Sequence, residues 1–188
     1  MFSLLGRAFS ARAKFLLMGS GRDRLGIVKD VTGVIYSLNG NVLDSRMTKL
    51  AGEFGLMMLV TIPTDNIEAT KRTLESKVQQ YGFQLNTKEV TDSQSAFKVE
   101  DHYSCSIVLQ GADHPGILHH LTHFLTYVGV NISTMHTTHE IAPMGGSVLF
   151  RLEAEVQVPS LISFDNLANK LADIEQKEGV SITLKKAE

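Results

Sequence analysis

The chain has 188 residues, of which 43% are hydrophobic and 20% are charged, and its net charge is −2 at pH 7. These proportions are typical of a soluble globular protein, and the small net charge gives no electrostatic reason to expect direct binding to nucleic acid. No apolar run approaches the roughly 20 residues of a membrane-spanning helix, so the sequence also argues against a membrane partner.

The first 14 residues contain Arg7, Arg12 and Lys14 and no acidic residue. Arginine, serine and apolar residues without acids are typical of an organelle transit peptide, and the alternative is a basic terminus that frays or docks on the body of the protein. We therefore treat residues 1–14 as an N-terminal extension. The expected location is the cytoplasm, or a mitochondrion or plastid if the extension is a transit peptide.

In the first half of the chain, hydrophobic periodicity and turn residues predict six elements in the order β-α-β-β-α-β. A glycine-containing turn at 19–26 leads into a helix at 25–38 that ends at Asn39 and Gly40. Asp65 and Glu68 are placed to form a capping box for the second helix. The predicted strands are 15–18, 42–50, 54–62 and 83–90.

A polar segment at 92–101 predicts a linker, after which the same order of elements returns. The predicted helices are 115–128 and 163–177, and a hairpin passes through 143–146. The predicted strands are 103–110, 131–140, 147–157 and 180–184. Two domains are therefore expected, at 15–91 and 102–188.

The two halves match residue by residue at an offset of 90 positions. The apolar positions of the first helix (27, 28, 31, 34, 35 and 38) recur in the second half at 117, 118, 121, 124, 125 and 128, and both sets follow one buried helical face. The polar and glycine matches are Gly21, Asp23, Gly26, Thr32 and Asn41 with Gly111, Asp113, Gly116, Thr122 and Asn131. An internal duplication explains the whole set.

The repeated order predicts an α+β fold of two ferredoxin-like βαββαβ domains, each an antiparallel sheet with both helices on one face. In the second half, residues 147–157 alternate between polar and apolar, so the back of that sheet is expected to be mostly polar. In the first half, residues 56–60 are apolar on both faces. We therefore expect the back of the first sheet to be covered by another sheet or subunit.

The repeated strand-turn-helix segments are the candidate binding sites. Free backbone N–H groups and the dipole at a helix N-terminus favour a carboxylate, and an aspartate can accept hydrogen bonds from an ammonium group. Glycine allows close approach of a ligand, and asparagine carries both donors and acceptors. The alternative is purely structural, because aspartate is a common helix cap and glycine and asparagine are common at bends.

At these turns the sequence resembles the ACT domain, a small βαββαβ module that binds amino acids and other small effectors. The matching residues are Asp113-His-Pro-Gly116-Ile-Leu followed by Asn131-Ile132, whereas the first copy has Leu25 in place of the proline. Two such units without an enzyme domain resemble the glycine cleavage system transcriptional repressor family. The resemblance implies ligand-binding residues at Asp23, Gly26, Asn41, Asp113, Gly116 and Asn131, and His114 joins them because it lies in the turn itself.

Other signals in the sequence are weaker. His119 and His123 have the spacing of two metal ligands on a helix but lie opposite the apolar stripe, and His136 and His139 should point to opposite faces of a strand. Cys105, the only cysteine, is expected to be a small buried thiol. The acidic residues, including Glu75 and Glu175, are expected on solvent faces, and no catalytic group converges. We expect no metal, no cofactor and no catalytic site.

The sequence thus predicts a non-catalytic regulatory protein that senses a small amino acid, with glycine and serine as candidates, and signals through a partner protein. The resemblance also implies a homodimer and, without a DNA-binding helix-turn-helix, no direct contact with nucleic acid. The alternative is a regulatory subunit that docks on a metabolic enzyme and controls it allosterically.

Overall fold

The computed structural model describes residues 11–91, 101–141 and 148–187, which form two compact units. The predicted hairpin at 143–146 and most of the predicted linker lie outside the described residues. The first unit contains the strands β1 (Arg12–Arg22), β2 (Asn41–Leu50), β3 (Glu53–Pro63) and β4 (Gln84–Glu89) and the helices α1 (Ile27–Ser37) and α2 (Ile67–Gln79).

The second unit repeats this arrangement. Its strands are β5 (His102–Ala112), β6 (Asn131–Ile141), β7 (Val148–Pro159) and β8 (Val180–Lys186), and its helices are α3 (Ile117–Tyr127) and α4 (Phe164–Glu178). The strand orders are β2-β3-β1-β4 and β6-β7-β5-β8, and every pairing is antiparallel. The predicted α+β class with two ferredoxin-like units is therefore confirmed.

Each unit has one apolar core between its sheet and its two helices. In the first unit, Leu17 and Met58 on the sheet and Leu74 on α2 are at most 1% exposed. In the second, Ile107 and Leu152 play the same part. Burial of such a side chain contributes about 1.5–3 kcal/mol, so the helix-covered face of each sheet provides the main apolar stabilisation of the unit.

The duplication extends to irregular details. A register shift interrupts the β2–β3 pairing at Val42/Asp44, and another interrupts β6–β7 at Ile132/Thr134. Val28 and Leu118 also match, but they are 39% and 41% exposed, so their predicted place in the buried helical face is wrong in both copies. Each follows directly on the first residue of its helix, beside the turn and at the margin of the core.

Several predicted boundaries need correction. Strand β1 begins at Arg12 and reaches Arg22, so it includes part of the expected N-terminal extension and much of the expected turn. The cap of α2 is Asn66, whose side chain accepts a hydrogen bond from Ala69 N at 2.9 Å, and the Asp65–Glu68 capping box is wrong. The remaining boundaries move by only one or two residues, which is the usual uncertainty at the ends of elements.

The two sheets differ on the faces that point away from the helices. Arg151, Glu153 and Glu155 alternate with the buried residues of β7, as the sequence predicted. On the first sheet, Met57 is 49% exposed. A cavity of about 690 Å³, lined by residues 18–20, 46–48, 55–57 and 84–86, lies on that unit. The expected cover for this apolar face stays a prediction.

None of the helices in the described ranges combines the length and hydropathy needed to cross a membrane.

Candidate functional site

The turns before α1 and α3 share one backbone geometry. Gly26 and Gly116 stand at the N-caps of these helices with φ of +90° and +106°, where a side chain is strained. In both helices the N-cap residue makes no side-chain hydrogen bond, whereas Asn66 caps α2 and Ser163 caps α4. The N-terminal N–H groups of the two repeated helices are therefore without the side-chain cap that the other two helices have.

Asp23 does not cap α1, whose N-cap is Gly26, and it forms an ion pair with a side chain of β2 instead. Its carboxylate lies 2.5 Å from the Lys49 ammonium group on β2, and its backbone N–H donates to Gly52 O at 2.9 Å. These contacts tie the end of β1 to the β2–β3 hairpin. The carboxylate remains 28% exposed and so can also meet a solute.

Arg24 connects the same turn to both helices of the first unit through an ion pair and a hydrogen bond. Its guanidinium lies 2.7 Å from the Asp30 carboxylate on α1 and donates to Tyr81 O beyond the end of α2 at 3.1 Å. Beside these residues is a cavity of about 370 Å³, lined by residues 23–29 and Phe54. It is large enough for a small amino acid, and its lining includes the apolar residues Val28 and Phe54.

In the second unit, Asp113 again lies beside a basic side chain on the next strand of the chain. His139 Nε2 is 3.2 Å from Asp113 Oδ2, and His139 also packs edge-on against the Phe150 ring. Residues 49 and 139 are related by the same offset of 90 as Asp23 and Asp113. The strand partner of the turn aspartate is thus lysine in one unit and histidine in the other.

His114 replaces Arg24 at the matched position and binds the end of α4. Its Nε2 is 3.0 Å from Glu178 O, and its Nδ1 is 3.2 Å from Pro115 O. Because carbonyl oxygens only accept hydrogen bonds, both contacts together require both ring nitrogens to be protonated. The Glu178 carbonyl, the Pro115 carbonyl and then the nearby carboxylates of Glu178 and Asp113 raise the pKa of His114 above its ordinary 6.5.

Glu178 is the most buried charged group near this turn. Its side chain is 5% exposed, and its carboxylate lies 2.9 Å from His120 Nδ1, 3.8 Å from Lys177 Nζ and 3.9 Å from His114 Nε2. His120 Nδ1 makes no hydrogen bond, although it lies so close to this carboxylate. His120 contributes most to lowering the pKa of Glu178, against the opposing effect of burial.

The asparagines lie far from the turns of their own units. Asn41 is level with Thr61 and Lys14 in the first sheet, nine residues along β1 from Asp23. At about 3.3 Å per residue this separation is roughly 30 Å. Asn131 pairs with Gln157, whose strand partner is Ser104, nine residues from Asp113, so the second unit has the same separation. The structure therefore groups Asp23 with Gly26, and Asp113 with His114 and Gly116, and it leaves both asparagines apart.

Asn131 has a contact of its own, since its Nδ2 donates to Gln157 Oε1 at 3.1 Å. The other residues that complete the turns were missed from the sequence. A search for matched basic residues at the offset of 90 would have found Lys49 and His139. No sequence signal marks Glu178, which reaches the turn only through the packing of α4.

The predicted positions of two acidic residues on solvent faces were also wrong. Glu75 Oε1 accepts a hydrogen bond from Thr87 N at 2.8 Å, and Glu175 Oε1 accepts one from Ile182 N at 2.7 Å. These carboxylates hold β4 and β8 to the helices, so they are not merely solvated, as expected. Their positions differ in the two units by 100 residues rather than 90, and this shift hid the match.

The structure shows where the candidate metal-binding histidines and the single cysteine lie. Within the described ranges, no three His, Cys, Asp or Glu residues are placed to hold a metal ion. His119 and His123 are exposed on α3 with ring centroids 6.0 Å apart, as the helical stripe predicted. Cys105 is 1% exposed, and burial raises the pKa of its thiol, which lowers its reactivity.

Comparison with known proteins identifies relatives of this chain in sequence and in structure. The family model of the ACT domain matches residues 14–88. A UPF0237 protein from Methanocaldococcus jannaschii is 31% identical over 78 residues, which cover 42% of this chain and 84% of that protein. A structure of an unknown protein from Galdieria sulphuraria is 29% identical, covers 95% of this chain and 100% of its own, and has a TM-score of 0.82.

A proposed glycine cleavage system transcriptional repressor has a structure that covers 95% of this chain and 99% of its own, with a TM-score of 0.68. The two sequences are 19% identical, so this similarity shows a common fold and nothing more. The fold and the paired turns define a regulatory module of two βαββαβ units with no appended enzyme domain among the described residues. Residues 14–88 are thus an ACT domain, the second unit repeats its fold, and the chain is a tandem ACT-domain protein related to the UPF0237 proteins.

Proposed function

We propose that the chain is a non-catalytic regulatory protein that binds a small amino acid at its repeated turns and passes that signal to a partner protein. The main support is the pairing, in both units, of an uncapped helix N-terminus with an aspartate that has a basic side chain beside it, Lys49 in one unit and His139 in the other. An amino acid is a zwitterion, so its carboxylate suits the helix N-terminus and the cation, and its ammonium group suits the aspartate.

A second copy of the chain would explain the distant asparagines. One ligand cannot contact both Asp23 and Asn41 of one unit across roughly 30 Å. Strand β2 is the edge of its sheet, is exposed along almost its whole length, and presents Leu43 and Met47 at 48% and 39% exposure. Such an edge favours pairing with another strand. We propose that a homodimer brings Asn41 of one copy to the Asp23 turn of the other.

The docked regulatory subunit remains the second candidate function, favoured by the apolar back of the first sheet around Met57. In that case the occupant of the face is an enzyme rather than another regulator. Purification of the tagged chain from native extract separates the two functions, because a transcription factor in the complex supports repressor-like signalling and a metabolic enzyme supports the subunit.

Amino-acid binding is tested by thermal unfolding against a panel that includes glycine and serine. A ligand at 100 times its Kd stabilises the bound protein by about 2.7 kcal/mol, which is a shift of several degrees for units of this size. Asp23→Asn and Asp113→Asn should each abolish binding at one turn, and Asn41→Ala and Asn131→Ala test the proposed dimer contacts. Asn169→Ala, on the exposed side of α4, is the matched control.

The proposal predicts a shift that is lost in at least one aspartate variant and kept in the control. The absence of any shift across the panel would overturn the amino-acid sensor. A shift that persists in the Asp23→Asn, Asp113→Asn double variant would place the binding site elsewhere.

A further inference from the structure

The two turns are built alike but differ in the kind of charge that holds them. In the first unit the contacts use Arg24, Lys49 and Asp30, whose charges are constant around neutral pH. The residues at the same three positions in the second unit are His114, His139 and His120. Histidine is the side chain whose charge changes between pH 5 and 8. The duplication has therefore produced one turn with fixed charges and one with titratable charges.

His114 makes both of its carbonyl contacts at once only when it is protonated. Its two carbonyl contacts, with Glu178 O at 3.0 Å and Pro115 O at 3.2 Å, need two N–H donors, and a neutral imidazole has one. The Glu178 carbonyl is at the C-terminal end of α4, where the helix dipole also favours a cation. Loss of the proton leaves two carbonyl oxygens facing a ring with a single donor, so one contact must open.

The charged groups around the turn come from every element that packs against it. Glu178 from α4 faces His114, His120 from α3 faces Glu178, and Lys177 is 3.8 Å from the same carboxylate. From β6, His139 faces Asp113 of the turn. In this set the only acids are Glu178 and Asp113, and both gain partners when the histidines are protonated.

We propose that His114, Glu178 and the end of α4 form a proton-dependent clamp that positions the β5–α3 turn, whereas Arg24 holds the β1–α1 turn without regard to pH. Insofar as the second turn binds an effector, which rests on the proposed function, that turn binds it more weakly as the pH rises through neutrality. Glu178 is in this role a positioning residue, which acts on the turn through His114.

The direction of the pH dependence follows from the two shifts. The pKa of His114 is raised, so its contribution is complete below 6.5 and is lost as the pH rises through the higher value in the folded protein. The pKa of Glu178 is lowered from 4.5, so its contribution is complete above 4.5 and is lost as the pH falls through the lower value in the folded protein. The clamp is therefore strongest between pH 4.5 and 6.5.

The clamp can be measured on the full chain without a ligand. NMR titration of the histidine rings gives the midpoint of His114, and hydrogen exchange, corrected for intrinsic rates, gives the protection of backbone amides 111–117 and 21–27. We expect a His114 midpoint above 6.5 and a loss of protection at 111–117 across the same pH range. Protection at 21–27 should not follow it.

Two variants test the mechanism. His114→Arg copies the first unit and should remove the pH dependence of protection at 111–117. Glu178→Gln keeps the backbone carbonyl and should lower the His114 midpoint without abolishing its contact. Because a variant could disturb folding, circular dichroism of each is compared with the wild type, and the wild-type midpoint and amide protection at the two turns test the clamp without any substitution. A midpoint at or below 6.5, or equal pH responses of the two turns, overturns the clamp.

Effector affinity is measured separately at pH 6 and pH 8.5 by calorimetry, with His114→Arg and the reciprocal Arg24→His. A clamp that titrates while no amino acid binds at either pH refutes the proposed function and keeps the clamp. Binding at the second turn with the same affinity at both pH values, in a protein whose His114 midpoint is ordinary, refutes the clamp and keeps the proposed function.

Discussion

The repeated turn glycines allow a quantitative test of the backbone geometry. Replacing Gly26 with alanine places a side chain at φ +90°, where strain costs about 1–3 kcal/mol, although the new Cβ meets only Arg24 Nη1 at 3.9 Å. Gly116→Ala pays the same strain at φ +106° and also brings the Cβ to 3.1 Å from His120 Cε1. We therefore expect the second substitution to cost more than the first.

Gly33→Ala is the matched control. Gly33 lies on the exposed side of α1, and a Cβ there meets no atom within 4 Å. This substitution should stabilise the helix by about 1 kcal/mol, because alanine has the higher helix propensity. Gly26→Ala and Gly116→Ala should thus lower the free energy of unfolding, and Gly33→Ala should raise it.

Urea unfolding followed by circular dichroism is the appropriate assay, since the chain contains no tryptophan. Because there are two compact units, each curve is fitted with two transitions. A change of 1 kcal/mol should move the melting temperature of the affected unit by about 4–8 °C in parallel thermal scans. If Gly26→Ala is as stable as the wild type, or if Gly33→Ala is the more harmful of the two, the strained N-cap is not a real feature of the turn.

The remaining predictions concern the cores. Leu121→Ala removes a fully buried side chain of the second unit and should lower the free energy of unfolding of that unit by about 2–5 kcal/mol. The unfolding transition of the first unit should not change. A loss shared equally by both transitions would show that the units unfold together. Cys105 should resist a thiol reagent such as DTNB at pH 8 and react only at the rate of unfolding, because its thiol is buried and its pKa is raised. Rapid reaction in buffer without urea would contradict this burial.

The order of elements could be predicted because each helix carries its own periodic stripe and each turn its own glycine. Ile27 and Val31 return as Ile117 and Leu121, and a single offset linked the halves before any contact was known. The wrong predictions concern positions where adjacent residues could take the same role. Asn66 rather than Asp65 caps α2, and Val28 and its counterpart Leu118 are exposed because the core ends at the turn.

The candidate site was predicted only in part. Asp23 and Gly26 lie together because they are three residues apart on one turn, so local sequence decides their proximity. Asn41 matched the family pattern equally well, yet it lies at the other end of the sheet. A sequence match gives residue types at given positions, but the distance between two strand ends depends on the direction in which the strands run.

The duplication, the βαββαβ order and the two glycine turns follow from the sequence, because periodicity and backbone preference act over a few residues. The charges that meet at those turns are set by long-range packing. Lys49 reaches Asp23 from β2, and Glu178 reaches His114 from the end of α4, 64 residues along the chain. Such contacts arise from the packing of whole elements, and nothing in the local sequence of either partner specifies them.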